Sequence, residues 1–249
     1  MGGSPQPGKV RYDRITGMSL DPFKLLQLTQ LLDTTFPIGA AAHSLGLETL
    51  TAEGIVTTPR LAAFLQDYLS EVGAQEGLFC RLGHALLASP NFENDWLALN
   101  QRVSAFKLAR EPRKASAMMG KRFLQMVCAL EDAPQLQRAY TLALESGVDI
   151  HHATALGLSA AFLGIDADLA IAAYLQQSTL SLISASQRLL SLGQGQAAQI
   201  LWDLKPHLLA ATLKSADSDP QGNASYSFPG LIEMAGMRHP ALPMRLFIS

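Results

Sequence analysis

The sequence has little charge. Asp, Glu, Lys and Arg make up 16% of its 249 residues, against about 25% in an average soluble domain. The 19 basic and 21 acidic residues nearly cancel, so the chain lacks the basic excess of nucleic-acid binding proteins, and we expect no nucleic-acid partner. So few surface charges also suggest that a second copy or a partner covers part of the surface. An Ala- and Leu-rich helical monomer would have the same composition.

Cysteine and long apolar runs are scarce as well. Cys80 and Cys128 lie far apart within apolar helical patterns, which indicates buried thiols rather than disulfides and fits a reducing, cytoplasmic setting. The longest uncharged run, residues 169–187, contains several Gln, Ser and Thr residues, so we expect no membrane segment. Residues 1–20 have no apolar core of a secretion signal and are predicted to form a flexible tail.

The apolar residues recur at helical spacing almost throughout, as in Leu61, Phe64, Leu65 and Tyr68. Helix boundary signals accompany this period, and no stretch alternates between apolar and polar residues as a strand would. The predicted starts are Asp21-Pro22, Thr58-Pro59 and Asp166, and the predicted ends are Gly54, Gly147 and Gly164.

The chain is therefore predicted to be all-α, with one domain of about ten packed helices over residues 21–236. Residues 215–227, rich in Ser, Asp, Gly and Asn, are predicted to be a flexible loop. Residues 237–249 are predicted to form an extended C-terminal tail, because Pro240 and Pro243 favour an extended segment over a helix.

One segment resembles a dinucleotide fingerprint. In SLGQGQAAQ, residues 191–199, Gly193, Gly195 and Ala198 match the pattern G-x-G-x-x-G/A. That pattern needs a strand before it, and the preceding residues keep a helical period instead. We therefore predict a glycine break between two helices, with the glycines permitting close helix approach and a change of direction. A helical nucleotide-binding enzyme is the less favoured alternative.

Metal binding and catalysis are only weakly indicated by the sequence. Cys80 and His84 are four residues apart on a predicted helix, and His151 and His152 lie at a predicted helix start, so a metal could be considered. The chain has no C-x-x-C, no H-E-x-x-H, no phosphate loop and no G-x-S-x-G. We predict a packed thiol and hydrogen-bonded imidazoles, no tight metal site and no catalytic residues.

Basic residues recur at helical spacing in a region that begins near Arg110. A solvated basic face is the first interpretation, and a docking surface for an acidic partner is the second. The residues are Lys107, Arg110, Arg113, Lys114 and Lys121.

Five segments, in order from about residue 24 to Ser249, together resemble the UreF family of urease accessory proteins. Each is a weak signal alone, whereas five in the right order are specific. The segments are LLDTTFPIGAAAHSLGLETLTAEGIV, REPRKASAMMGKRFL, HHATALGLSAAFLGID, SASQRLLSLGQGQAAQIL and GMRHPALPMRLFIS.

The resemblance implies an all-helical, non-catalytic scaffold of nickel-urease maturation. Such proteins dimerise and bridge a second scaffold, UreD (also called UreH), to the GTPase UreG, and the assembly docks on apo-urease. Nickel and GTP would then be handled by the partner proteins, with no cofactor bound tightly here. A metallochaperone that carries nickel itself, through Cys80, His84, His151 or His152, is an alternative.

The resemblance also implies two sets of partner-binding residues. The terminal segment places Met237, Arg238, His239, Arg245, Leu246, Phe247 and Ser249 in the tail that faces UreD/UreH. The preceding segment places Arg188, Gly193, Gln194 and Gln199 at matching positions, with Arg188 as the candidate for communication with UreG, since a cation there could pair with an acidic partner or with nucleotide charge.

Three positions depart from the family pattern. Ser191 replaces a proline and Ala40 replaces a glycine. Pro240 replaces a glutamate after Met-Arg-His, which removes a charge from the tail and casts doubt on any salt bridge that the family makes there.

Overall fold

The computed structural model describes residues 21–217 and 230–248. Within these two ranges the chain is helical, with no strand, which confirms the all-α prediction. The predicted N-terminal tail and most of the predicted internal loop lie outside the described residues. The helices are α1 (Pro22–Leu31), α2 (Leu47–Ala52), α3 (Leu61–Tyr68), α4 (Ala74–Ala85), α5 (Phe92–Phe106), α6 (Arg110–Leu130), α7 (Pro134–Glu145), α8 (His152–Phe162), α9 (Ala167–Leu189), α10 (Gln194–Asp203), α11 (Lys205–Ala216) and α12 (Gly230–Arg238).

The helix boundaries follow the local signals with one exception. The carboxylate of Asp166 accepts hydrogen bonds from the backbone N–H groups of Asp168 and Leu169 at the start of α9, as an N-cap residue does. Gly147 adopts a left-handed φ of 63° just after α7. Thr58 does not cap a helix, because it lies inside a 3₁₀ turn, Thr58–Arg60, that precedes α3.

Helix α11 extends into the segment predicted as a loop. The Ser215 hydroxyl, in its last turn, donates to the Thr212 carbonyl at 2.6 Å and accepts from Arg81 Nε at 3.2 Å. These bonds hold the turn in a buried position. The prediction of a loop at residues 215–216 is therefore wrong, because a contact distant in sequence stabilises the helix there.

Helix α8 is the centre of the core. Its first nine residues, His152 to Ala160, are all buried, and it packs mainly against α4 and α6. Glycines permit this close approach. A Cβ on Gly157 would lie 1.9 Å from the Cys80 carbonyl oxygen, and a Cβ on Gly120 would lie 2.2 Å from the Ile150 carbonyl oxygen.

A buried ion pair joins α4 to the end of α5. The Lys107 ammonium contacts the Glu76 carboxylate, which also accepts a 3.0 Å hydrogen bond from the Tyr174 hydroxyl. Burial alone would raise the pKa of Glu76, but Lys107 and Tyr174 hold that pKa below its ordinary value. The prediction of one solvated basic face is therefore wrong for Lys107, whereas Arg110 and Lys114 are exposed.

Candidate partner-binding surfaces

The C-terminal segment is anchored to the helical body by a buried histidine. After α12 the chain makes a 3₁₀ turn, His239–Ala241. The His239 ring is fully buried, with Nδ1 2.6 Å from Glu111 Oε2 and Nε2 2.8 Å from Glu48 Oε2. Because a carboxylate oxygen only accepts, each contact is a hydrogen bond when that ring nitrogen carries a proton.

Glu48 also holds the end of the tail. Its carboxylate accepts hydrogen bonds from the backbone N–H of Leu246 at 2.5 Å and of Phe247 at 3.2 Å. Burial alone would raise the pKa of Glu48, but the bonds from Leu246, His239 and Phe247 hold that pKa below its ordinary value. One buried carboxylate on α2 thus fixes two separate parts of the C-terminal segment.

Two arginines make further ion pairs at the surface. Arg245 donates to Glu111 at 3.1 Å, and Arg238 makes a bidentate pair with Glu53 at 2.7 and 2.8 Å. The tail therefore has several salt bridges although Pro240 stands where the family has a glutamate. The prediction of an extended tail is wrong for residues 237–241. Met237 and Arg238 end α12, and Pro240 lies in the 3₁₀ turn, where the fixed φ of proline suits a first helical turn.

Sequence reasoning missed the acidic anchors Glu48, Glu53 and Glu111. Glu48 and Glu111 lie within the segments HSLGLE and REPR that carry the family resemblance. Their positions were thus visible, but nothing local indicates that they pair with the C-terminal tail.

The face of the tail that points away from Glu48 and Glu111 has exposed apolar side chains. Met237, Leu246 and Ile248 are 51%, 62% and 64% exposed. A groove of about 690 Å³, the C-terminal groove, lies beside this face. Its lining includes Leu108, Met118, Met237 and Ile248, with Arg110 and Lys114 among the charged residues. Ser249 lies outside the described residues.

Two of the predicted blocks meet at Arg188. The Arg188 guanidinium lies over the Phe247 ring, 5.5 Å from its centroid, so the end of α9 contacts the tail. Phe247 is buried, whereas Arg188 is exposed.

The break between α9 and α10 confirms the prediction of helix, glycine break and helix. Gly193 and Gln194 are exposed, and Gln199 donates to Asp203 at 2.9 Å. A Cβ on Gly193 or Gly195 would meet nothing within 4 Å. The prediction that these glycines permit close helix approach is therefore wrong, since they face open space. Helix α9, not a strand, precedes the segment, so the context of a dinucleotide fingerprint is missing.

The candidate metal ligands are engaged in the fold. His84 Nε2 lies 2.9 Å from the Ile165 carbonyl oxygen, and the His151 ring contacts two serine hydroxyls. His152 packs edge-on against Phe123 and Tyr174. Burial raises the pKa of the Cys80 thiol to about 12. Across residues 21–217 and 230–248, no three His, Cys, Asp or Glu residues are grouped so as to hold a metal ion.

A third surface, which the sequence did not indicate, lies on α1. Phe23 and Leu26 are each 67% exposed. A neighbouring groove of about 520 Å³, the α1 groove, is lined mainly by apolar side chains of α1, α9 and α11, among them Leu25, Leu169 and Leu209. None of the helices described is long and apolar enough to cross a membrane.

Comparison with known proteins identifies the family of this all-helical chain. A sequence model of the UreF family matches residues 55–205. The chain is 31% identical over 230 residues to the urease accessory protein UreF of Lachnoclostridium phytofermentans, covering 90% of this chain and 98% of that protein. It is 32% identical over 235 residues to the UreF of Corynebacterium glutamicum, covering 93% and 100%. The chain belongs to the UreF family of urease accessory proteins.

Proposed function

We propose that the protein is a non-catalytic scaffold that bridges UreD/UreH and the GTPase UreG during GTP-dependent nickel insertion into apo-urease. It acts in the cytoplasm and binds no cofactor tightly, because the partners handle nickel and GTP. Family membership supports the role in urease maturation. The observation that carries the scaffold role is the two-sided tail, in which the polar anchors and Phe247 face inward while Met237, Leu246 and Ile248 are exposed.

The C-terminal groove is the proposed contact for UreD/UreH. Exposure of Met, Leu and Ile side chains to water is unfavourable, and covering them with a partner surface lowers the free energy. Methionine adapts its shape to a partner surface. The exposed Arg110 and Lys114 add a basic rim, in agreement with the interpretation of this region as a docking surface for an acidic partner.

Arg188 and the exposed face of α10 are the proposed contact for UreG. Gly193, Gln194 and Gln199 are all exposed, and nothing lies within 4 Å of a Cβ built on Gly193. Trp202, further along α10, is 67% exposed and carries the Lys205 ammonium 3.5 Å from its ring centroid. Tryptophan and arginine are typical anchors of protein interfaces.

The α1 groove is the proposed homodimer contact. Leu25 of α1 lines this groove and is 37% exposed, and Phe23 and Leu26 are exposed on the same helix. A second copy could bury both side chains, at a gain of about 1.5 to 3 kcal/mol for each. This groove shares no lining residue with the C-terminal groove, so a dimer formed through it leaves the UreD/UreH contact accessible.

The test is co-purification with UreD/UreH of variants that change only the outward face. Deleting residues 237–249 would remove the buried His239 and Phe247 and would confuse loss of the partner site with loss of the fold. Met237→Glu should weaken UreD/UreH binding by at least about tenfold. Leu144→Glu, at another exposed apolar position, is the matched control and should bind normally.

The UreG contact is tested in the same assay. Arg188→Glu should reduce retention of UreG while leaving UreD/UreH bound. If the unaltered protein retains neither partner under any nickel or GTP condition, the scaffold proposal is refuted.

A further inference from the structure

A small pocket lies beside Arg188. Its volume is about 170 Å³, compared with about 30 Å³ per molecule in liquid water, so it has room for one small polar group and a few waters. The side chains around it are mostly hydrogen-bond donors. They include Arg188, Ser181 and Ser184 of α9, Thr34 after α1, and the Phe247 ring.

The described lining of this pocket is positive. Arg188 is its one charged residue, and no carboxylate belongs to the set. A guanidinium presents five N–H donors and no acceptor, and each hydroxyl adds one donor. The Gln177 amide donates to Ser181 Oγ at 3.3 Å, which leaves the Ser181 proton available for the pocket.

Three of these donor side chains make no hydrogen bond within the described part of the protein. Within the described residues, the Arg188 guanidinium contacts the Phe247 ring but has no hydrogen-bond acceptor, and neither Thr34 nor Ser184 makes a side-chain hydrogen bond. The Phe247 ring is itself held in place by the bond from its backbone N–H to Glu48. Arg188 is therefore oriented by an aromatic face, and its N–H groups meet no acceptor in residues 21–217 and 230–248.

We propose that this pocket is an oxyanion site that binds a single carboxylate or phosphate group. Arg188 supplies the charge and a planar pair of donors, which suit either group. Ser184 and Thr34 supply hydroxyl donors to the remaining oxygens. The inference extends the proposed role of Arg188 by naming the chemistry that it recognises, and the first experiment needs no partner protein.

The first experiment titrates the purified full-length protein with inorganic phosphate by calorimetry, at constant ionic strength set with chloride. Saturable binding is expected. Arg188→Gln should weaken it by at least about tenfold, because a charge-assisted hydrogen bond is lost. Ser184→Asp should abolish it by placing a carboxylate in the pocket.

The matched control is Arg60→Gln, at an exposed arginine that does not line the pocket, and it should bind phosphate normally. Circular dichroism checks that each variant is folded. No phosphate binding, or equal binding by all four proteins, would overturn the proposal.

A second experiment distinguishes a free anion from an acidic side chain of a partner. Retention of UreG is measured with phosphate or with chloride of equal ionic strength. If phosphate displaces UreG from the unaltered protein, the partner supplies the oxyanion. If phosphate binds but retention is unchanged, the ligand is a free anion. If UreG is never retained, the scaffold proposal fails while the phosphate titration still decides the pocket.

Discussion

Replacing Glu48 by glutamine should release the C-terminal tail without unfolding the helical body. The Glu48 carboxylate accepts from His239 Nε2 and from the backbone N–H groups of Leu246 and Phe247. The amide of glutamine has the same shape but only one oxygen, and its NH₂ group would face other donors. The substitution therefore removes acceptors from a site where the side chain is only 6% exposed.

The magnitude follows from burial. A buried donor that loses its acceptor costs about 1 to 3 kcal/mol, and replacing Glu48 Oε2 by an NH₂ group disturbs two contacts at once, with His239 Nε2 and with the Phe247 N–H. Docking of the tail end is favoured chiefly by burial of Phe247, which contributes about 1.5 to 3 kcal/mol, since the exposed Arg245 pair adds at most about 1 kcal/mol. The loss exceeds the gain from docking, so we expect residues 242–248 to detach while the core stays folded.

Hydrogen exchange measures this directly. The amides of Leu246, Phe247 and Ile248 are bonded to Glu48 or to the Ala42 carbonyl. In Glu48→Gln they should exchange at least about 100-fold faster, which corresponds to about 2.8 kcal/mol. Amides of α8 should exchange as before.

The control for this experiment is Glu53→Gln. Its pair with Arg238 is solvent-exposed, with side chains 33% and 44% accessible, so this substitution should leave stability nearly unchanged. Unchanged exchange at residues 246–248 in Glu48→Gln would refute the view that this carboxylate holds the tail.

Further predictions concern the helix packing at Gly157, the glycine break between α9 and α10, the buried His151 and the proposed homodimer. Gly157→Ala should lower the free energy of unfolding by about 1 to 3 kcal/mol through overpacking. Gly195→Ala, in an open helical position, should raise the free energy of unfolding by about 0.5 to 1 kcal/mol. Equal effects of the two substitutions in denaturant titrations would contradict both predictions. Burial lowers the pKa of His151 to about 3 from 6.5, so the unfolded chain takes up the proton first and stability falls as the pH drops below 6.5. His151→Gln should remove about 1.4 kcal/mol per pH unit from that dependence between pH 6 and 4, and an unchanged pH profile would argue against a neutral buried ring. Leu26→Asp should convert a homodimer into a monomer in light-scattering measurements, whereas Leu144→Asp should not, and a dimer in both would place the contact elsewhere.

The helices were predictable because their signals are local. The caps at Asp21 and Asp166, the left-handed glycines, and the break after α9 depend on residues within one or two turns. Thr58 shows the limit of such signals, because a capping residue before proline also suits the 3₁₀ turn that forms there.

The partner surfaces were only partly predictable. Family resemblance indicated the tail residues but not which of them face inward, because their anchors are distant in sequence. Glu48 and His239 are separated by 191 residues, and Lys107 pairs with Glu76 across 31 residues. Helical period assigns a residue to a face of its own helix, but it does not say what packs against that face.

The geometry also determines how tail mutations should be interpreted. Phe247 forms one wall of the Arg188 pocket, and Glu48 holds Phe247 in place. Any change that detaches the tail therefore removes the aromatic face that orients Arg188, although Arg188 itself is unaltered. A tail truncation that weakens UreG retention would not show that UreG touches the tail. Only variants of outward side chains, such as Met237→Glu, separate a direct contact from an effect transmitted through the pocket.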